Sequence, residues 1–174
     1  IPQSVCSNKK IMTIEIVFSS DEKRSEDTYW YNPTIFGCCN TAVGGGELNI
    51  YIKGGYLCFW SAMSPSQDQY YENSGIYVSD GKIHKVALIL DGSYIHAMHN
   101  YDEVYRFSIG RASANIPWCL GNGFNIATDS PSTSYNNYIQ GCSFRLCRFT
   151  VYDKAIDVKD LYNFKSSEAI CCYG

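Results

Sequence analysis

Asp80-Gly81-Lys82-Ile83-His84-Lys85-Val86-Ala87-Leu88-Ile89-Leu90-Asp91-Gly92-Ser93 is the stretch on which the reading of this sequence turns. Two Asp-Gly pairs, eleven residues apart, bracket an apolar run in which Val86, Leu88 and Leu90 recur with period two. That period predicts a half-buried strand over Lys82 to Leu90, and Asp-Gly supplies the turn at each end. A further strand starts near Tyr94, so the stretch reads as a meander.

Working outward, the same alternation recurs almost everywhere. Met12, Ile14, Ile16 and Phe18 form one face of a strand whose other face is Thr13, Glu15 and Val17, and a charged loop follows from Ser19 to Asp27. Leu48, Ile50 and Ile52 alternate with Glu47, Asn49 and Tyr51. Lys53-Gly54-Gly55 then turns the chain into the strand Tyr56 to Trp60, a β-hairpin. The polar segment Ser64 to Gly75, which carries Tyr70 and Tyr71, is expected to be a surface loop. Further strands are expected at Val104 to Ile109, Trp118 to Leu120, Phe124 to Ala127 and Phe144 to Tyr152, separated by Gly, Ser, Asn and Pro clusters. One short helix is expected near residues 157 to 163, where Val158, Leu161 and Tyr162 share a face. Many short strands joined by such turns imply an all-β, two-sheet antiparallel sandwich or jelly roll.

Composition narrows the partners. The chain of 174 residues is the size of one domain, expected to span 1-174 and to be a piece of a longer chain, since it opens on Ile1 without a leader. A net charge of -3 with scattered Lys and Arg gives no stripe to follow a phosphate backbone, so nucleic acid is not an expected partner. No apolar run reaches bilayer length, and no membrane insertion is expected. Tyr, Phe and Trp make up 15% of the chain, which suits strands and also surfaces that stack on flat ligands.

Nine cysteines point to an oxidising compartment, although several sit in apolar strand patterns where a thiol serves as a small hydrophobe. The Cys171-Cys172 tail is expected to be tied back by a disulfide to Cys6 or to Cys38-Cys39, because so short a tail would otherwise fray. The cysteine spacings do not form a zinc set, and His84, His96 and His99 receive no metal or catalytic role. Gly44-Gly45-Gly46 lacks the Lys-Ser/Thr of a phosphate loop and reads as a flexible turn.

The run Asp80 to Ser93 resembles a signature of laminin-G-like domains, with Ile83 where that family usually has Trp. Phe149 to Tyr162 looks like the family's terminal strand, turn and short acidic helix. Ile11 to Phe18, and Thr34-Ile35-Phe36-Gly37 with Glu47 to Trp60, stand in the order of its earlier strands. The style is also similar to modules of bacterial surface proteins and of phage tail or appendage proteins. The resemblance implies a concanavalin-A-like jelly roll and a non-catalytic recognition module, for adhesion or receptor binding, at an extracellular, cell-surface or virion-surface location. Cys147 and Arg148 replace the family's acidic pair, so a calcium ion is not carried over, and no other cofactor is implied.

Binding is expected at loops on the sandwich edge or at a sheet face, with a glycan or a host or cell-surface protein as ligand. Trp30, Tyr31, Tyr70, Tyr71, Tyr135, Asn136, Asn137 and Tyr138 supply the aromatic faces and amides that sugars need. Two alternatives stay open: a structural or assembly domain of a larger surface or appendage protein, and a glycoside hydrolase on the same scaffold. The hydrolase reading lacks the closely spaced strand carboxylates that such enzymes use, since Glu15 and Glu47 stand alone in their strands.

Overall fold

The computed structural model describes residues 11–27, 32–38, 47–64, 67–108, 125–126, 142–161 and 171–173. Eleven strands follow in chain order: β1 (Ile11–Ser20), β2 (Thr34–Cys38), β3 (Glu47–Lys53), β4 (Tyr56–Ser64), β5 (Gln67–Tyr77), β6 (His84–Asp91), β7 (Tyr94–His99), β8 (Asp102–Ser108), β9 (Asn125–Ile126), β10 (Phe144–Tyr152) and β11 (Cys171–Tyr173). They form two antiparallel sheets, one of six strands in the order β11-β10-β1-β6-β7-β8 and one of five in the order β5-β4-β3-β2-β9. Such a pairing of first and late strands in one sheet, facing a second sheet, is a jelly-roll sandwich.

The inward faces are those the period-two pattern marks. Met12, Ile14, Ile16 and Phe18 of β1 meet Val86, Leu88 and Leu90 of β6 on one side, and Ile50, Ile52, Leu57 and Phe59 close the core from the other sheet. Phe36 and Phe149, one from each sheet, stack with ring centroids 5.6 Å apart. Each such fully buried Leu, Ile or Phe contributes about 1.5–3 kcal/mol, which holds the sheets together. The two Asp-Gly turns work as their chemistry requires: Gly81 and Gly92 take φ of 75° and 99°, conformations that side chains bearing Cβ rarely adopt.

The short helix expected near residues 157 to 163 is present as a 3-10 turn, Val158–Asp160, capped by Asp157. Two expectations are corrected. Ser64 to Gly75 is no surface loop: Gln67–Tyr77 pairs with β4 as an edge strand, with Trp60 opposite Tyr71 and Ser61 opposite Tyr70. A polar segment can be a strand there because an edge has one open flank and backbone pairing asks nothing of side-chain polarity. Secondly, the outward face of β1 is not solvated. Thr13 and Glu15 are as buried as their inward neighbours, because the chain after β10 folds back across them.

That returning segment, residues 153–161, is a strap over the outer face of the six-stranded sheet. Ile156 and Leu161 pack on Val17, Ala87, Ile89, Met98 and Cys147, a small second apolar cluster. Thr13 tethers it: its Oγ1 donates to the Lys154 carbonyl at 2.8 Å and accepts from the Ile156 N–H at 2.9 Å. The Cys171-Cys172 tail is itself strand β11, with Cys172 opposite Thr150 and Cys171 opposite Val151. Cys58, Cys142 and Cys147 are free thiols. Cys6 and Cys39, like the expected strand Trp118 to Leu120, lie outside the described residues.

Candidate functional site

Register on the six-stranded sheet sets two cross-strand rows on the outer face. One runs Thr13, Ile89, His96, Arg106 and the other Glu15, Ala87, Met98, Glu103. The strap packs over the β1–β6 end of both rows and reaches as far as Met98 of β7, next to β8. Between its edge and those strands lies a groove of about 530 Å³, with Ile89 and Met98 in its floor, Ala155 to Val158 as one wall and Asp91, His96, Tyr101, Asp102 and Glu103 around the rest. The β7–β8 turn places part of the rim: Asn100 takes φ 56°, a left-handed conformation that Asn tolerates, and delivers Tyr101 and Asp102 beside the sheet.

The rim is an organised set of charges. His96 Nε2 lies 2.9 Å from Asp91 Oδ2, and His96 Nδ1 bonds Glu103 Oε2. Both ring nitrogens can donate to ionised carboxylates only when the imidazole is protonated. Accordingly, although burial works against the charged ring, the two carboxylates raise His96 above its ordinary value. Asp91 also resists the effect of burial: hydrogen bonds from His96 and from the Tyr94 and Ser93 amides hold it down to about 2. Glu103 is lowered likewise, against burial, by His96 and by Arg106, whose Nη2 lies 2.8 Å from Glu103 Oε1.

The groove therefore offers ionised acceptor oxygens around an aliphatic floor, the combination of apolar surface with a few convergent polar groups that marks ligand sites. A smaller hollow of about 310 Å³, at the Ser20 end of β1, is lined by Ser19, Ser20, Asp21, Gly81, Ser143, Phe144 and Arg145 and has no apolar floor beyond Phe144.

A second histidine cluster serves the fold. Asp80, which His84 and the Lys82 amide hold down to about 2, accepts from His84 Nε2 at 2.9 Å. On its other side the ring meets His99, His84 Nδ1 and His99 Nε2 sharing a hydrogen bond of 3.0 Å. Burial and the neighbouring His84 lower His99 below its ordinary value.

Of the residues singled out by sequence, Tyr70 and Tyr71 stand in β5, in the other sheet from the groove. Trp30, Tyr31, Tyr135, Asn136, Asn137 and Tyr138 lie outside the described residues. The groove residues were missed. Asp91 reads as a turn residue, and only the strap, which contacts in space what is distant in sequence, brings it into a site with Met98. The usable signal was His96, a polar residue on the same strand face as Met98. Glu15, solitary in sequence, is buried with Arg148 Nη2 3.9 Å away.

No protein-family model matches the chain, and no curated protein matches its sequence. Solved structures share its fold. Domain 4 of AbnA, an extracellular arabinanase of Geobacillus stearothermophilus in complex with arabinotriose, is similar with a TM-score of 0.61 at 14% identity, over 92% of this chain and 68% of that one. The CBM40 of the Ruminococcus gnavus IT-sialidase, bound to α2,3-sialyllactose, gives 0.59 at 12% identity over 87% and 80%. Domains LG4-5 of the mouse laminin alpha-1 chain give 0.61 at 9% identity, this chain spanning 40% of that structure. The architecture is thus a laminin-G-like, concanavalin-A-like jelly roll.

Proposed function

We propose that this protein is a non-catalytic recognition module that binds a glycan in the groove between the strap and strands β7 and β8. The observation that carries the reading is the groove itself, whose aliphatic floor of Ile89 and Met98 suits sugar C–H faces and whose rim carboxylates suit sugar hydroxyls. The fold neighbours support it, since two of them were solved with arabinotriose and sialyllactose. An extracellular or cell-surface setting belongs to the same reading. Trp30, Tyr31, Tyr135, Asn136, Asn137 and Tyr138 are retained in it as proposed glycan contacts.

Asp91 and Glu103 are poorly suited to be the acid of a hydrolase. A glycosidase needs one carboxyl raised enough to deliver a proton to the leaving oxygen, whereas Asp91 is held to about 2 and Glu103 is lowered. Both serve as permanent acceptors.

The test is a glycan array on the wild-type protein and on Val158→Arg, which fills the groove from an exposed position of its wall. Binding of at least one oligosaccharide class, lost about tenfold or more in Val158→Arg at unchanged melting temperature, is the expected result. A blank array, or equal binding by the two proteins, contradicts the proposal.

A further inference from the structure

One imidazole in the groove sets the two carboxylates beside it. His96 stands between Asp91 and Glu103, with Nε2 2.9 Å from Asp91 Oδ2 and Nδ1 bonded to Glu103 Oε2. Only the protonated ring has two N–H groups to give. The neutral ring keeps one, so its bare nitrogen would face an ionised oxygen and one of the two contacts must open.

The anchoring of the carboxylates decides which contact that is. Asp91 Oδ1 accepts from the Ser93 and Tyr94 amides, both at 2.7 Å, so the turn after β6 fixes this side chain without help from His96. Glu103 is held otherwise by Arg106, a half-exposed side chain whose Nε and Nη2 lie 3.0 and 2.8 Å from Oε1. It stands on β8, the last strand of its sheet, opposite Met98 and beside a shift in the β7–β8 register. Glu103 is therefore the arm that swings when His96 loses its proton.

Other charged and titratable groups surround this clamp from each neighbouring element. Tyr94, on the same strand, has its ring 6.2 Å from the His96 ring, and Asp157 of the strap, paired with Lys159 at 3.5 Å, lines the groove. Tyr101, with Lys85 of β6 against its ring, and Asp102 complete the rim. The two bonds that hold the imidazole nonetheless go to Asp91 and Glu103.

We infer that protonated His96 is the positioning residue of the groove, clamping Asp91 and Glu103 as preset acceptors, and that glycan binding weakens as the ring loses its proton. The inference rests on the groove being the glycan site. An acceptor already in place costs little to use, whereas a released Glu103 must be ordered again by each glycan that binds. Against burial, which opposes the charged ring, Asp91 and Glu103 raise His96 above 6.5. Binding is thus full below that value and falls as pH rises through the raised one.

A glycan array of neutral, acidic and amino oligosaccharides, arabinotriose and α2,3-sialyllactose among them, is read at about pH 5.5 and about pH 8.5, and the sugar bound most strongly is titrated calorimetrically between them. Wild type should bind about five- to tenfold more weakly at the alkaline end, with protons taken up on binding near the midpoint. His96→Gln, which never carries the charge, should be weak and flat. Glu103→Gln should be flat for another reason: its amide donates to the lone pair of the neutral ring while Asp91 accepts from the ring N–H, so the clamp survives without the proton. His99→Gln, whose native ring bonds His84 instead, should keep the wild-type profile. Melting temperatures at each pH establish that the variants are folded. A flat wild-type profile, a dependence that persists in His96→Gln or Glu103→Gln, or one abolished in His99→Gln would overturn the inference and leave the glycan reading standing. No sugar bound at any pH would overturn both.

Discussion

Two histidines one residue pair apart on β7 titrate in opposite directions because they face opposite sides of the sheet. His99 is pushed below 6.5 by burial and by His84, so its contribution to stability is full above 6.5 and is lost as pH falls toward its folded value. His96 is raised above 6.5 despite burial, by Asp91 and Glu103, so its contribution is full below 6.5 and is lost as pH rises through its folded value. Melting temperatures from about pH 5 to about pH 8 check this, since His99→Gln should flatten the acid limb and His96→Gln the alkaline one. Profiles parallel to wild type would refute it. Steric demand is equally local at Gly37. A Cβ there would lie 1.8 Å from Asn49 Oδ1 and 3.1 Å from Asn49 Cα, so Gly37→Ala should cost about 1–3 kcal/mol, part of it recovered by adding Asn49→Ala. Chemical denaturation of the two variants measures it. Neither property is visible in sequence, because a titration direction and a close approach both depend on the neighbouring strand.

At the scale of elements, the strap is the piece that makes a site out of a sheet face. Its last residue, Leu161, is fully buried against the sheet, and Leu161→Ala should destabilise by about 2–5 kcal/mol. Thr13→Val keeps the shape and removes both tethers, leaving the Ile156 N–H without its acceptor, at about 1–3 kcal/mol. Hydrogen exchange should show the change concentrated at Ile156. Uniform exchange across both sheets would mean that the strap is not a separately anchored unit. Alternation revealed β1, β3, β4, β6 and their core faces directly, because a strand with one buried face writes its period into the sequence. β5 escaped because an edge strand of polar residues carries no such period. The burial of Glu15 escaped because the strap that covers it lies more than a hundred residues away in sequence. The tail has its own open prediction: if the protein matures in an oxidising compartment, Cys171 or Cys172 bonds Cys6, Cys38 or Cys39. Thiol titration of denatured, unreduced protein would then count fewer than the nine cysteines, and nine free thiols would contradict it.

For the whole molecule, the sandwich supplies rigidity and the outer face supplies recognition. The inner faces of both sheets are spent on one core, so a ligand must meet an outer face or the loops. The fold class was legible in the sequence, since two Asp-Gly turns and repeated period-two strands leave few other architectures. The site was not, because fold does not determine function and the groove's residues come together only after the strap has docked. Methionine offers a direct check, as the chain has only three, Met12, Met63 and Met98. Met12 is sealed in the core, whereas Met98, though nearly as buried, lines the groove. The measurement is a titration of methyl-labelled methionine followed by NMR, with the oligosaccharide that binds best on the array. The account predicts a saturable shift of the Met98 methyl with Met12 unmoved, abolished in Val158→Arg. A saturating glycan that leaves the Met98 methyl in place would contradict it.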